Sequence, residues 1–207
     1  MISNNKYEFT NTWFAENSLQ NWNKIVPIID PIKILELGSY EGAASCYLID
    51  LLAQKKSIEL HCVDIWEECD IIKKDQAHAI ESRFDRNINI AIKKAKHKVN
   101  FFKHKKKSHL ALSQMVANGI EDFDLIYIDA SHYAVDTITD AVLSFKLLKA
   151  GGLIIFDDYL WAGEENIVYY PKIAIDAFTS IFSKHIELIP APIRQIYAVK
   201  VNEFLKK

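Results

Sequence analysis

Four ionisable side chains in two short stretches could do chemistry together: Asp129 and His132 in YIDASHY, and Asp157–Asp158 in IIFDDY. Each stretch follows an apolar, β-branched run, so each aspartate falls at the carboxyl end of a predicted strand. If those strands are neighbours, their backbones lie about 4.8 Å apart and the three carboxylates converge on one edge. Carboxylates this close raise one another's pKa, and a divalent cation would relieve the repulsion. An all-oxygen donor set with room for water suits Mg2+ (or Mn2+) better than zinc. The plainer alternative has Asp129 capping the next helix while Asp157 or Asp158 faces solvent. His132, three residues after Asp129, would reach a hydroxyl held at such a metal. A lone loop histidine is otherwise structural or solvated.

A second constellation is ELGSYEGAAS (36–45), where Gly38 and Gly42 flank a tight turn. A dinucleotide fingerprint wants G-x-G-x-x-G, with its middle glycine letting the backbone approach a pyrophosphate. Tyr40 stands there instead and would obstruct that approach. Glu36 adds a carboxylate, a poor neighbour for phosphate and a good one for an ammonium group. S-adenosylmethionine (SAM) has no phosphate but carries an amino group and a sulfonium, so this loop favours it over NAD. The other reading is that the glycines simply make a turn. Asp64 lies 26 residues beyond Gly38, near the spacing of an acid that binds ribose hydroxyls. Trp66 is expected against the adenine. Ser108 is a candidate for the adenine edge, or a plain N-cap.

These residues need a scaffold that brings several strand ends together. Apolar runs recur at KILEL (33–37), IELHCVD (58–64), VNFFKH (99–104), FDLIYID (123–129), GLIIFDD (152–158), IELIP (186–190) and QIYAVKV (195–201), with helical stretches between. Ile138, Ala141, Val142, Phe145 and Leu148 repeat at helical spacing, with Gly151–Gly152 expected to close that helix. Pro171, Ile175, Phe178 and Phe182 mark another helix. Strands alternating with helices predict a parallel sheet covered on both faces. PAPIR is too short for a crossover, so the last two runs must pair antiparallel. The expectation is an α/β, Rossmann-like doubly wound sheet of seven strands, six parallel and the last antiparallel. It forms a single domain over 1–207, with an N-terminal helical lid segment (1–30) and a core (31–207).

Together, ILELGSYEGAAS, CVDIW, FDLIYIDASHY and GGLIIFDDY, in that order, resemble class I SAM-dependent methyltransferases of the Methyltransf_24 type, from about Trp13 to the last strand. The resemblance implies that Glu36, Gly38, Ser39 and Gly42 hold the methionine part of SAM and Asp64 its ribose. The D-x-x-H and D-D pair is similar to metal-dependent sugar O-methyltransferases, which implies that His132 is a general base and that Asp129, Asp157 and Asp158 hold the metal. Catechol-type enzymes carry a lysine near Ser131–His132 and an asparagine at the place of Asp158.

Composition narrows the partners. With 207 residues, half of them hydrophobic, and a net charge of −2, nothing favours nucleic acid or an anionic membrane globally. The basic run 93–109 reads as a solvated helix and strand end, and the D/N/S-P-P-Y/F motif of base methylation is absent. Cys46, Cys62 and Cys69 show no C-x-x-C pairing, and two of them read as buried hydrophobes. No signal core or spanning run is evident, so a cytoplasmic protein is expected. The segment 67–92 is long for a crossover and could serve as a lid. Aromatics at 159–170 are expected to wall the pocket of a small-molecule or glycan acceptor. A homodimer remains open. Beside metal-assisted O-methylation stand a metal-independent SAM enzyme, a non-catalytic SAM-binding protein and, more distantly, an NAD oxidoreductase.

Overall fold

The computed structural model describes residues 6–69, 72–161, 166–191 and 194–201. Parts of two expected features, the aromatic loop (162–165) and the final hairpin connection (192–193), lie outside those residues. Along the chain run α1 (Trp13–Asn17), α2 (Leu19–Ile29), β1 (Lys33–Leu37), α3 (Ala43–Leu52), β2 (Ile58–Asp64), α4 (Lys74–Lys94), β3 (Val99–Lys105) and α5 (Ser108–Ala117). Then come β4 (Phe123–Ile128), α6 (Ala134–Leu147), β5 (Leu148–Phe156), a 3-10 turn (Ile167–Tyr169), α7 (Pro171–Ile181), β6 (Ile186–Ile189) and β7 (Ile196–Lys200).

The strands form one sheet in the order β3-β2-β1-β4-β5-β7-β6. All pairings are parallel except those of β7, which runs antiparallel to both β5 and β6. This is the expected Rossmann-like sheet of six parallel strands and one reversed. Strand order turns back between β1 and β4, where Leu37 pairs with both Val63 and Ile128. A crevice opens at such a reversal, at the carboxyl ends of the strands.

Strand alternation sends residues to two cores. Ile34, Leu60, Leu125, Tyr127, Leu153 and Ile155 pack under α2, α3 and α4, with Trp22, Leu48 and Phe84. Leu35, Leu37, Ile126, Ile128, Ile154 and Phe156 pack on the other face, with Leu112, Phe145 and Phe178. Cys46 and Cys62 are buried free thiols, as small hydrophobes would be. No described helix is long and apolar enough to cross a membrane.

Two expectations change. The glycines do not cap α6, because that helix ends at Leu147 and the chain is already extended at Leu148. Its last carbonyls are met instead by the buried Lys200 ammonium, which donates to Phe145 and Leu148. Gly151 and Gly152 lie within β5, and a Cβ on Gly152 would come within 2.9 Å of the Phe123 carbonyl oxygen. The segment 67–92, read as a possible lid, is mostly α4, which buries Ile80, Phe84 and Ile88 against the sheet. That apolar stripe holds it in the core.

Candidate functional site

The turn after β1 is built on close contact. Gly38 has φ +84°, and a Cβ there would fall 1.8 Å from the Asp129 carbonyl oxygen. Only glycine lets the first loop rest directly on the exit of β4. Gly42 (φ +81°) opens α3, and a Cβ there would touch the Phe84 ring at 3.0 Å. Glu36 is 1% exposed. Its carboxylate accepts the Ser39 hydroxyl at 2.9 Å, the Ser45 hydroxyl and the Cys62 thiol at 3.4 Å. Burial pushes its pKa up to about 7, against the pull of those donors. Its partners are two hydroxyls and a thiol, none of them cationic, so the group suits an ammonium ligand.

Asp64 clamps the loop from the end of β2. Tyr40 N–H donates to one of its oxygens at 2.8 Å and Trp66 N–H to the other at 2.9 Å. Burial nonetheless raises its pKa. Tyr40 adopts a left-handed conformation (φ +47°) and lays its ring 5.5 Å from Trp13 of α1. Trp66 does not present a face for adenine. It is 2% exposed, its ring 4.6 Å from Phe84 and under the Lys103 ammonium at 4.5 Å. Its indole N–H donates to the Tyr40 carbonyl at 2.9 Å, so it shapes the loop from beneath. Ser108 is the first residue of α5, with Lys107 at the cap position, so it is not the N-cap. Its side chain faces Asp140 of α6, a carboxyl that burial lifts to about 7.

At the ends of β4 and β5 two of the three expected carboxylates meet. The Tyr127 hydroxyl lies 2.9 Å from an Asp129 oxygen and also bonds an Asp157 oxygen. One phenolic proton therefore serves two acids. Asp157 receives two more donors, Gln195 Nε2 and the Asp158 N–H, each at 2.8 Å. Burial and the nearby Asp157 and Asp158 charges hold Asp129 well above the ordinary carboxylate range, and burial with Asp158 raises Asp157. Asp158 stands close enough for its charge to act on both but does not share the Tyr127 hydroxyl. Its left-handed backbone (φ +54°) turns the side chain to His132, whose Nε2 lies 2.8 Å from it. Among the described residues no three His, Cys, Asp or Glu side chains are grouped to hold a metal ion. His132 also stacks on Trp161, ring centres 4.3 Å apart. Ala130, Ser131, His132, Asp157, Asp158 and Pro171 wall a cleft at this edge. The capping alternative for Asp129 fails, since α6 has Tyr133 at its cap position.

Residues 35–159, more than half of the chain, match the profile of the Methyltransf_24 family, described as a methyltransferase domain. The chain belongs to that methyltransferase family. A relative described as "Probable caffeoyl-CoA O-methyltransferase 3", from Dictyostelium discoideum, is 28% identical over 165 residues, or 75% of this chain. The chain spans 58% of that relative's length. Among solved structures, an O-methyltransferase from Bacillus cereus in complex with SAH (S-adenosylhomocysteine) aligns with TM-score 0.61 at 17% identity. The alignment covers 89% of this chain and 82% of that one. The O-methyltransferase TomG from Streptomyces achromogenes, solved with SAM, gives TM-score 0.58 at 14% identity over 86% and 77%. At such identities these two show the shared fold.

Trp161, among the aromatics expected at the pocket, lies against His132, whereas Tyr127 and Gln195 were not among the expected site residues. Tyr127 carried a signal: a phenol within the apolar run LIYI, two residues before Asp129 and hence on its face. Gln195, far along the chain, carried none.

Proposed function

We propose that the chain is a SAM-dependent O-methyltransferase that methylates a hydroxyl of a small molecule or sugar, with His132 as general base and a divalent cation assisting. The observation that carries this reading is the junction of two half-sites. The glycine turn rests on the Asp129 carbonyl, so a ligand in the first loop lies beside the acid pair and His132. Glu36 would take the amino group of SAM, Ser39 and the turn its carboxylate end, Asp64 its ribose, and Ser108, on turning from Asp140, the adenine edge. When bound, SAM supplies an electrophilic methyl and the cation lowers the acceptor hydroxyl's pKa.

What supports a cation is donor chemistry rather than a formed ligand cluster. Asp129 and Asp157 share a single hydroxyl proton and would hold a hard ion through oxygen. Asp158 would complete the set on leaving His132. In the arrangement found here, Asp158 accepts from His132 Nε2, which leaves Nδ1 as the proton acceptor. Trp161 fixes the ring plane. His132→Ala is expected to lower kcat by about 10²- to 10⁴-fold, and unchanged turnover at saturating metal would remove the base assignment.

Calorimetry of SAH with and without Mg2+, on wild type and Asp129→Ala/Asp158→Ala, tests cofactor and metal separately. Tight SAH binding plus a magnesium heat that the double variant lacks supports both. No SAH binding sinks the proposal. The Asp158–His132 contact also favours a second reading, a metal-independent methyltransferase in which Asp158 orients the base. Turnover insensitive to chelator would select it.

A further inference from the structure

Gln195, just before β7, is 2% exposed, and every hydrogen-bonding valence of its amide is engaged. Its oxygen accepts the Trp22 indole N–H at 3.3 Å and the Tyr197 hydroxyl. Its nitrogen donates to the Ser18 hydroxyl and to the Asp157 carboxylate, each at 2.8 Å. An indole N–H can only donate and a carboxylate only accept, so the amide has one possible orientation. One NH2 group thus bridges the α1–α2 junction and the acid pair.

The junction is arranged to make this contact. Ser18 closes α1 and opens α2, yet its hydroxyl caps neither helix. Serine at an N-cap normally satisfies a backbone N–H, and here the side chain is given to Gln195 instead. Neighbouring residues repeat the bridge: Arg194 donates to Asn17 at 2.8 Å, while its carbonyl accepts the Tyr159 N–H at 3.0 Å. Residues 194–195 are therefore clasped between the junction Asn17–Ser18 and the turn 157–159. Trp22 closes the loop of contacts by packing edge-on against Tyr127 at 4.7 Å.

We propose that Gln195 is a positioning residue through which seating of the α1–α2 junction sets the Asp157 side chain, so that docking of the N-terminal helices and arrangement of the acid pair are one event. α1 also presents Trp13 to Tyr40 of the first loop, so a ligand that draws α1 inward would act on the acids through Ser18 and Gln195. The inference rests on the proposed function only in giving Asp157 a part in the reaction.

The test is amide hydrogen exchange on the full chain without ligand, comparing wild type, Ser18→Ala and Gln195→Glu. Ser18→Ala keeps the Gln195–Asp157 pair and is the milder change should Gln195→Glu fail to fold. Severalfold faster exchange at the Asp158 and Tyr159 amides in Ser18→Ala, with the β1 and β2 ends unchanged, supports the coupling. Faster exchange confined to α1 and α2, or none, overturns it. Mn2+ titration of the same proteins adds a second readout. Loss of a partner that orients a ligand typically costs about 10- to 100-fold in affinity, so Gln195→Glu is expected to bind Mn2+ at least tenfold more weakly, with SAH binding retained. Unchanged Mn2+ affinity in Gln195→Glu counts against the proposal. A wild type that binds no Mn2+ refutes the metal reading, while the exchange result still decides the coupling.

Discussion

Gly38→Ala should be the most damaging single-methyl change in the first loop. At φ +84° the residue sits in left-handed backbone, which costs an L-residue about 1–2 kcal/mol. The new Cβ would also fall 1.8 Å from the Asp129 carbonyl oxygen and 2.5 Å from its carbon. Those are backbone atoms of the residue just past β4, which is tied to β1 through its N–H, donating to the Leu37 carbonyl at 2.8 Å. Neither side can yield without breaking pairing, and overpacking of this kind costs typically about 1–3 kcal/mol. The combined loss, about 2–5 kcal/mol, is a large part of a domain stability of about 5–15 kcal/mol. At roughly 2–4 °C per kcal/mol for a chain of this size, Tm falls by about 4–20 °C. Gly119→Ala is the internal control: φ is +65°, but nothing lies within 4 Å of its Cβ, so only the backbone strain applies. Thermal unfolding of both variants separates strain from collision. If Gly38→Ala loses no more than Gly119→Ala, the first loop and the exit of β4 are not in hard contact, and the argument joining the two half-sites fails.

Glu36→Gln should stabilise the ligand-free protein in neutral and alkaline solution. The folded pKa of about 7 lies above the unfolded value, so the native state holds an extra proton between roughly pH 4.5 and 7. Glu36 therefore contributes stability that is present below that window and lost as pH rises through it. Urea titrations should show the variant gaining on wild type across that window, by up to about 3 kcal/mol, while SAH affinity drops; a parallel pH profile would refute this. His104 works in the opposite direction. Burial and the facing His61 depress its pKa to about 4, so stability present above the ordinary histidine value is lost as pH falls from about 6.5 towards 4. His104→Gln should flatten that acid limb, and an unchanged limb would show that another group causes it. Trp66→Phe should cost about 1–3 kcal/mol by leaving the Tyr40 carbonyl unsatisfied. A tenfold loss of SAH affinity at a temperature where the variant is folded, about 1.4 kcal/mol, would return the ring to the cofactor.

What the sequence made legible was whatever local pattern controls. KILEL and IELHCVD coincide with β1 and β2, because β-branched runs bounded by turn residues have little other use in a covered sheet. The reversed last strand followed from the shortness of PAPIR, and the meeting of Asp129 with Asp157 from strand adjacency. Less legible were features set by a single dihedral or a distant partner. Asp158 leaves its neighbours because of its own left-handed backbone, which no spacing rule anticipates for an aspartate followed by tyrosine. Trp66 was placed by its proximity to Asp64, yet a large aromatic two residues past a buried strand was better explained by the core. Lys200 displaced the glycines as the terminus of α6 from 52 residues away, and a buried lysine capping carbonyls has no sequence signature.

The distribution of donors around the acid pair gives the site a direction. Asp157 is met by Tyr127, Gln195 and the Asp158 N–H, whereas Asp129, among the described residues, has only the Tyr127 hydroxyl it must share. Tyr127 has one proton, and whichever acid lacks it keeps an undercompensated charge. Because two other donors already support Asp157 as an anion, the unmet demand falls on Asp129, whose carboxyl is held well above the ordinary range by burial and its neighbours. Asp129 is also the residue whose carbonyl supports Gly38. The acid most in need of a proton or a cation therefore stands directly against the first loop. On the proposed reading, a metal ion or the sulfonium of a bound nucleoside would be attracted to the place where the two half-sites touch.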